Sequence, residues 1–150
     1  MATEQTTTAK NPSITIVIGT LDRLSVISSL IAEIETFSKN IPLELLVIDQ
    51  STQENFQKLQ EQFPKKTFFQ LVHFEEANTC KYLNYGWQNA SAPIVLYLDD
   101  DVSLSEQTIK AHLDAYTEQS VLAVAGRVIN DGEEISTESP VGKIRWYGAI

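Results

Sequence analysis

The chain has 150 residues, 43% hydrophobic and 21% charged, with a formal net charge of −9. That length gives one domain with a real core and hardly two. The acidic balance excludes a nucleic-acid backbone as the natural partner, since such surfaces concentrate Lys and Arg. It leaves room for a nucleotide, because one divalent cation reverses the sign of a small acidic site.

Residues 1–12 are polar and rich in Thr. They lack a signal-peptide core and are expected to form a flexible tail before a domain spanning 13–150. Nothing in the sequence approaches the ~20 apolar residues of a membrane span. The single cysteine, Cys80, has no internal disulfide partner, which points to a reducing, cytoplasmic compartment. It reads as a small buried residue rather than a nucleophile.

Five apolar runs follow in order: Ile14 to Gly19, Leu43 to Ile48, Phe68 to Phe74, Ile94 to Leu98 and Val121 to Ala125. Runs so uniformly apolar suit strands covered on both faces. Between the first two, Leu24, Ile27, Leu30, Ile31 and Ile34 share a helical face, with Asp22 as the expected cap. Phe56, Leu59 and Phe63 mark a second helix. A third is expected from about Asn78 to Ala90. Ile109, Leu113 and Tyr116 mark a fourth, with Ser103 and Glu106 as its capping box. Asn130 to Glu134 reads as a turn. His73 reads as a strand residue and His112 as part of a helix surface. The alternation predicts an α/β fold with right-handed crossovers and a mostly parallel sheet. Ligands then bind beyond the carboxyl ends of the strands.

Four segments reach that edge. The sharpest is Asp99-Asp100-Asp101, three carboxylates at the end of an apolar strand. Their mutual repulsion is eased by a cation, and Mg²⁺ or Mn²⁺ prefers such hard oxygen ligands together with substrate phosphates. The bland alternative is a solvated acidic turn. Asp49 and Gln50 follow the second strand, where they suit a base or ribose or an Asx turn opening a helix. Gly19 to Arg23 combine a close-approach glycine with a helix N-terminus that favours phosphate. Lys81 is a cation near the start of the third helix, able to meet a phosphate or stay solvated.

This ordered set resembles the inverting family 2 glycosyltransferases of the GT-A (Rossmann-like) fold. The family's opening Pro-Thr-Tyr-Asn-Arg-like turn is matched by Gly19, Thr20, Leu21, Asp22 and Arg23. Its Val-Val-Asp-Asp-Gly-Ser-like turn is matched by Val47 to Thr52, its Lys-x-x-Asn-x-Gly helix by Lys81, Asn84 and Gly86, and its Asp-x-Asp motif by Asp99 to Asp101. The resemblance covers about Ser13 to Val128. It implies that Gly19, Thr20, Asp22 and Arg23 line a nucleotide pocket and that Asp49 and Gln50 touch base or ribose. Lys81 would hold the nucleotide, Asp99 and Asp100 would face the donor, and Asp99 and Asp101 would hold Mn²⁺ or Mg²⁺.

The implied reaction moves a sugar, with inversion, from a nucleoside-diphosphate sugar to a glycan, lipid or other hydroxyl acceptor. The family's general base lies in a later acceptor segment. Asp131, Glu133 and Glu134 carry no motif for that role, so the GT-A domain is expected to be truncated. Exposed sheet neighbours would then favour a homo-oligomer, and the full-length enzyme peripheral membrane association. Here Gly19 stands for the usual Pro, Leu21 for an aromatic and Gln50 for an acid. The alternative is a non-catalytic nucleotide or nucleotide-sugar binding module. A receiver or dehalogenase-like phosphatase fits worse, because its critical Asp follows the first strand.

Overall fold

A computed structural model describes residues 11–64, 66–129 and 132, with the backbone of 144–145 and 148–149. The turn expected at Asn130 to Glu134, the carboxylates Asp131, Glu133 and Glu134, and most of the N-terminal tail lie outside the described residues. The chain divides into two compact units, Met1–Glu106 and Gln107–Ile150.

The first unit is built on four parallel strands, β1 (Ile14–Thr20), β2 (Leu43–Asp49), β3 (Phe69–His73) and β4 (Val95–Leu98), in the order β3-β2-β1-β4. Between them run α1 (Leu24–Phe37), α2 (Gln53–Gln62) and α3 (Thr79–Asn89). The strands grow outward from β1 to β3, and the chain then returns to the other side of β1. That reversal opens a crevice between β1 and β4 at their carboxyl ends.

β1 and β2 are buried almost throughout, as their continuous apolar runs require. β3 and β4 are the outer strands of the described sheet and are only partly covered, so the expectation of two covered faces fails for them. Side chains alternate across the pleat. Val17, Leu46 and Ile48 face α3, where Tyr82 and Tyr85 pack on them. Gly86 makes this seat possible: a Cβ there would lie 2.5 Å from Val17 Cγ1. On the opposite face Ile16, Ile18, Leu45 and Val47 are fully buried. Ile27 of α1 and Leu59 of α2 meet there beneath Thr20 and Asp49. Burying an Ile or Leu side chain completely is worth about 1.5–3 kcal/mol, so this stripe carries much of the stability.

Helix ends follow local chemistry. Thr52 caps α2 by accepting from Asn55 N–H, and Asn78 caps α3 by accepting from Lys81 N–H. α2 stops at Phe63, ahead of Pro64, as the residue before a proline avoids helical dihedrals.

Three local expectations are corrected. Asp22 is not the cap of α1. It adopts φ 53, a left-handed conformation that Asp tolerates better than most residues, and the helix starts after Arg23 without a side-chain cap. Ser51 and Asn55 hold Asp22 in that turn, through its N–H and its carboxylate. The Ser103–Glu106 capping box does not form, because Glu106 is already the first helical residue and the Ser103 hydroxyl bonds Glu33 at 3.3 Å. Cys80 is exposed, since it sits one residue into α3 on the side away from the sheet.

In the second unit, α4 (Glu106–Ala115) runs on from the boundary and a two-residue antiparallel pair, β5 (Ile144–Arg145) and β6 (Gly148–Ala149), follows. Ile109 is buried as expected. His112 is half-buried and stacks edge-on with Tyr116 at 5.4 Å. Its Nε2 is buried without a hydrogen-bond partner among the described residues, and burial lowers its pKa. The fifth apolar run, Val121 to Ala125, is not a strand. Alternating Ala gives it weak β-propensity. It pairs with no strand among the described residues, and Leu122 is 93% exposed.

Candidate functional site

The crevice predicted by the strand order is a cleft of about 380 Å³ in the first unit, lined by the turn after β1, by Gln50, by the start of α3 and by Asp100. Strand register builds it. Thr20 is level with Asp49, and Asp49 with His73. Thr20 and Gln50 are joined by a backbone bond from Gln50 N–H to Thr20 carbonyl, 2.9 Å.

Gly19 lets α3 come close. A Cβ on it would stand 2.7 Å from the Tyr82 ring. Burial first, and then the charges of Asp99 and Asp100, push the Tyr82 phenol above its ordinary pKa. It therefore stays a neutral donor beside the acidic turn at every ordinary pH.

The three aspartates are not equivalent. Asp100 is buried, 8% exposed. It accepts from the Thr20 hydroxyl at 2.6 Å and from the Arg23 guanidinium at 2.9 Å. Asp101 is exposed and accepts from the same Arg23 nitrogen at 2.8 Å. Asp99 is exposed. The hydrogen bond to Asp101, followed by the charge of Asp100, raises the Arg23 pKa. Repulsion within the acidic run is therefore offset in this structure by Arg23, which lies 77 residues away from Asp100 in sequence.

Among the described residues no three His, Cys, Asp or Glu side chains converge as a cage for a metal ion. Asp99 and Asp101, exposed on either side of Asp100, nonetheless carry hard oxygen donors, although neither is among the residues that line the cleft. Two such groups fit an ion of the Mg²⁺ or Mn²⁺ kind, which takes one or two carboxylates and completes its shell with phosphate and water.

Of the residues expected at the site, Gly19, Thr20, Arg23, Gln50 and Asp100 line the cleft together. Asp49 lies beneath them, 2% exposed, with Oδ1 accepting from Ser51 N–H at 2.8 Å. Its side chain thus forms the Asx turn that opens α2. Asp22 is tied to Asn55. Lys81 is outside the lining, and its ammonium pairs with Glu76 at 2.9 Å. Asn78, Thr79 and Tyr82 line the cleft as well; the first two lie in the segment Glu75 to Lys81 that the sequence brings to the ligand edge, and Tyr82 was missed. Tyr82 stands one turn after the Asn78 cap, whose carbonyl accepts from Tyr82 N–H at 3.2 Å, and that spacing from a cap at the ligand edge is the signal that could have found it. His73 ends β3 as expected, stacked on Phe56 at 4.6 Å with Nε2 against the Ser51 carbonyl.

Among solved structures the chain is similar to a mannosyltransferase, PcManGT from Pyrobaculum calidifontis, in complex with GDP-Man and Mn²⁺. The TM-score is 0.61 at 21% identity, over 75% of this chain and 34% of that one. This chain thus spans about a third of its neighbour's length, and the likeness establishes the GT-A type of fold. No curated protein matches the sequence. The family model described as "Glycosyl transferase family 2" matches residues 15–147. With that match over nearly the whole chain, and with the parallel sheet and its carboxyl-edge cleft, the chain belongs to glycosyl transferase family 2.

Proposed function

We propose that residues 13–150 belong to the nucleotide-sugar-binding part of a glycosyltransferase. The enzyme would transfer a sugar from a nucleoside-diphosphate donor to an acceptor hydroxyl, with a divalent cation and with inversion at the sugar carbon. The observation that carries this reading is the convergence of Thr20, Arg23, Gln50 and Asp100 on one cleft at the β1/β4 reversal. Family membership and the GDP-Man and Mn²⁺ of the structural neighbour support it.

In this reading Gln50, Asn78 and Tyr82 hold the nucleoside. Asp100 positions Arg23 and Thr20 rather than meeting the donor directly, since both its oxygens are engaged. Asp99 and Asp101 would hold the cation, which when bound offsets negative charge on the diphosphate leaving group. Arg23 then gives up Asp101 and turns its guanidinium to the phosphates, a role its planar fork suits. The acceptor is a glycan, lipid or other hydroxyl compound. A cytoplasmic setting, self-association and peripheral membrane association of a longer enzyme belong to the same proposal. Among the described residues, no helix is long and apolar enough to cross a membrane.

Thermal melts test it. Mn²⁺ and a uridine, thymidine or guanosine diphosphate together should raise Tm by more than the sum of their separate effects, by mass-action linkage. Asp101→Ala should abolish that synergy with the fold intact. No shift across the nucleotide panel would end the proposal, and an unchanged metal response in Asp101→Ala would end the metal assignment.

A further inference from the structure

The turn between β1 and α1 bends at a residue whose backbone conformation few side chains accept. Among the described residues Asp22 alone, glycine apart, has a positive φ, 53. Its neighbours Leu21 and Arg23 both line the cleft, and Asp22 does not. Asp22 is itself exposed, so no core packing accounts for the bend. Its N–H donates to the Ser51 hydroxyl at 2.7 Å, and its carboxylate accepts from the Asn55 amide at 2.9 Å. Ser51 is fixed in turn, with its N–H on Asp49 and its carbonyl on His73 Nε2. The loop after β2 thus holds the turn after β1 in a left-handed conformation, which is costly for any residue with a Cβ. The consequence falls one residue on. The Arg23 carbonyl accepts from Ile27 N–H at 3.0 Å, so the Arg23 backbone is set by α1 on one side and by Asp22 on the other. Its side chain then reaches Asp100 and Asp101 with one nitrogen. Strained backbone held by outside contacts beside a ligand cleft marks a position kept for function.

We infer that Asp22 is a positioning residue: its left-handed bend, pinned by Ser51 and Asn55, aims the Arg23 guanidinium at the acidic turn and, with a donor bound, at its phosphates. Resting on the nucleotide-sugar reading above, this gives Asp22 a role through its backbone, which needs neither its charge nor a contact with the ligand. A side chain that relaxes the bend to negative φ swings the Arg23 Cα–Cβ bond away from the cleft. Restoring the bend on binding then costs what the left-handed conformation costs, roughly tenfold in affinity. Glycine takes positive φ without that cost. Asn tolerates it as Asp does and keeps an oxygen for the Asn55 amide.

The test compares Asp22→Gly with Asp22→Ala by calorimetric titration with UDP and with GDP, each with Mn²⁺, below the melting temperature of every variant. Both substitutions remove the same carboxylate and the same bond to Asn55, so charge and anchorage cancel in the ratio of their affinities. Asp22→Gly should bind about tenfold more tightly than Asp22→Ala. Asp22→Asn should also bind more tightly than Asp22→Ala. In an Arg23→Gln background the ratio should fall to near one, because no guanidinium is left to aim, and the double-mutant cycle isolates that coupling. Equal affinities of Asp22→Gly and Asp22→Ala overturn the inference. So does a ratio that survives Arg23→Gln, which would mean that the bend supports the cleft at large. If the wild type binds neither nucleotide, the nucleotide-sugar reading itself fails and this role falls with it. Binding with the wrong ratios leaves that reading standing and removes only the role of Asp22.

Discussion

Asp100 and Glu44 are acids buried in the same parallel sheet, one at each end of its strands. Glu44, near the amino end of β2, is 7% exposed. One of its oxygens accepts from the Thr15 hydroxyl at 2.6 Å and from Ser91 N–H at 2.8 Å. The other accepts from the Ser91 hydroxyl at 2.5 Å and the Gln70 amide at 3.1 Å. Burial acts to raise its pKa, but the bonds from Ser91, Thr15 and Gln70 outweigh it and hold the carboxyl below its ordinary value. Asp100 meets one hydroxyl and one guanidinium, and both belong to residues that line the cleft. A carboxylate whose lone pairs are all taken by neutral donors is a joint. It fastens the loop before β4 to β1, β2 and β3, and it has nothing left for a ligand. A carboxylate paired with a half-exposed guanidinium and flanked by exposed acids has a partner that a ligand can draw away.

The largest effect should separate the two ends directly. Glu44→Ala strands several buried donors and should lower unfolding free energy by about 2–4 kcal/mol, read from urea denaturation. Asp100→Ala should cost distinctly less, because half-exposed Arg23 returns to water, while nucleotide affinity collapses. Equal stability losses, or intact binding in Asp100→Ala, would break the comparison.

Where α3 packs on the middle of β1, Gly86→Ala drives a Cβ to 2.5 Å from Val17 Cγ1 and should destabilise by about 1–3 kcal/mol. Because α3 brings Asn78 and Tyr82 to the cleft, nucleotide affinity should weaken too. Val17→Ala in the same chain should recover part of both, and strict additivity of the two substitutions would mean α3 does not seat there.

The smallest effect is on pH dependence. Glu44 has a folded pKa below its unfolded one, so its contribution is complete above about pH 4.3 and is lost as pH falls through the folded value. Glu44→Gln should lower the neutral-pH plateau by about 1 kcal/mol and flatten the acid limb of stability between pH 5 and 3. Acid limbs of equal slope would show that Glu44 is not the titrating joint.

Much of the sheet was legible without coordinates. The runs Ile14 to Gly19 and Leu43 to Ile48 are rich in β-branched residues and Leu, with Glu44 the one charge, as a doubly covered strand needs. Both became central strands, buried almost throughout. Val121 to Ala125 is as apolar over five residues but carries Ala at every second position from Ala123, and it formed no strand. Asp22 carried a cap's chemistry, yet the turn it occupies is set by Ser51 and Asn55, about thirty residues on. Cys80 was misplaced because its exposure depends on which face α3 turns to β1, and that is fixed by Gly86 against Val17.

By itself the sequence determined where the strands end and which polar residues sit at those ends: Thr20 after β1, Asp49 and Gln50 after β2, and Asp99 to Asp101 after β4. Periodicity and composition are local properties, and strand ends are local events. Only the tertiary structure decided the partners. Crossovers bring segments 28 to 80 residues apart into contact. So Arg23 came to hold the acidic turn, Lys81 paired with Glu76, Asp49 was spent on a backbone bond, and the Gln50 carbonyl was turned to Asn78 N–H. Hydrogen-bond partners depend on which chain segments the fold sets side by side, and no local pattern encodes that.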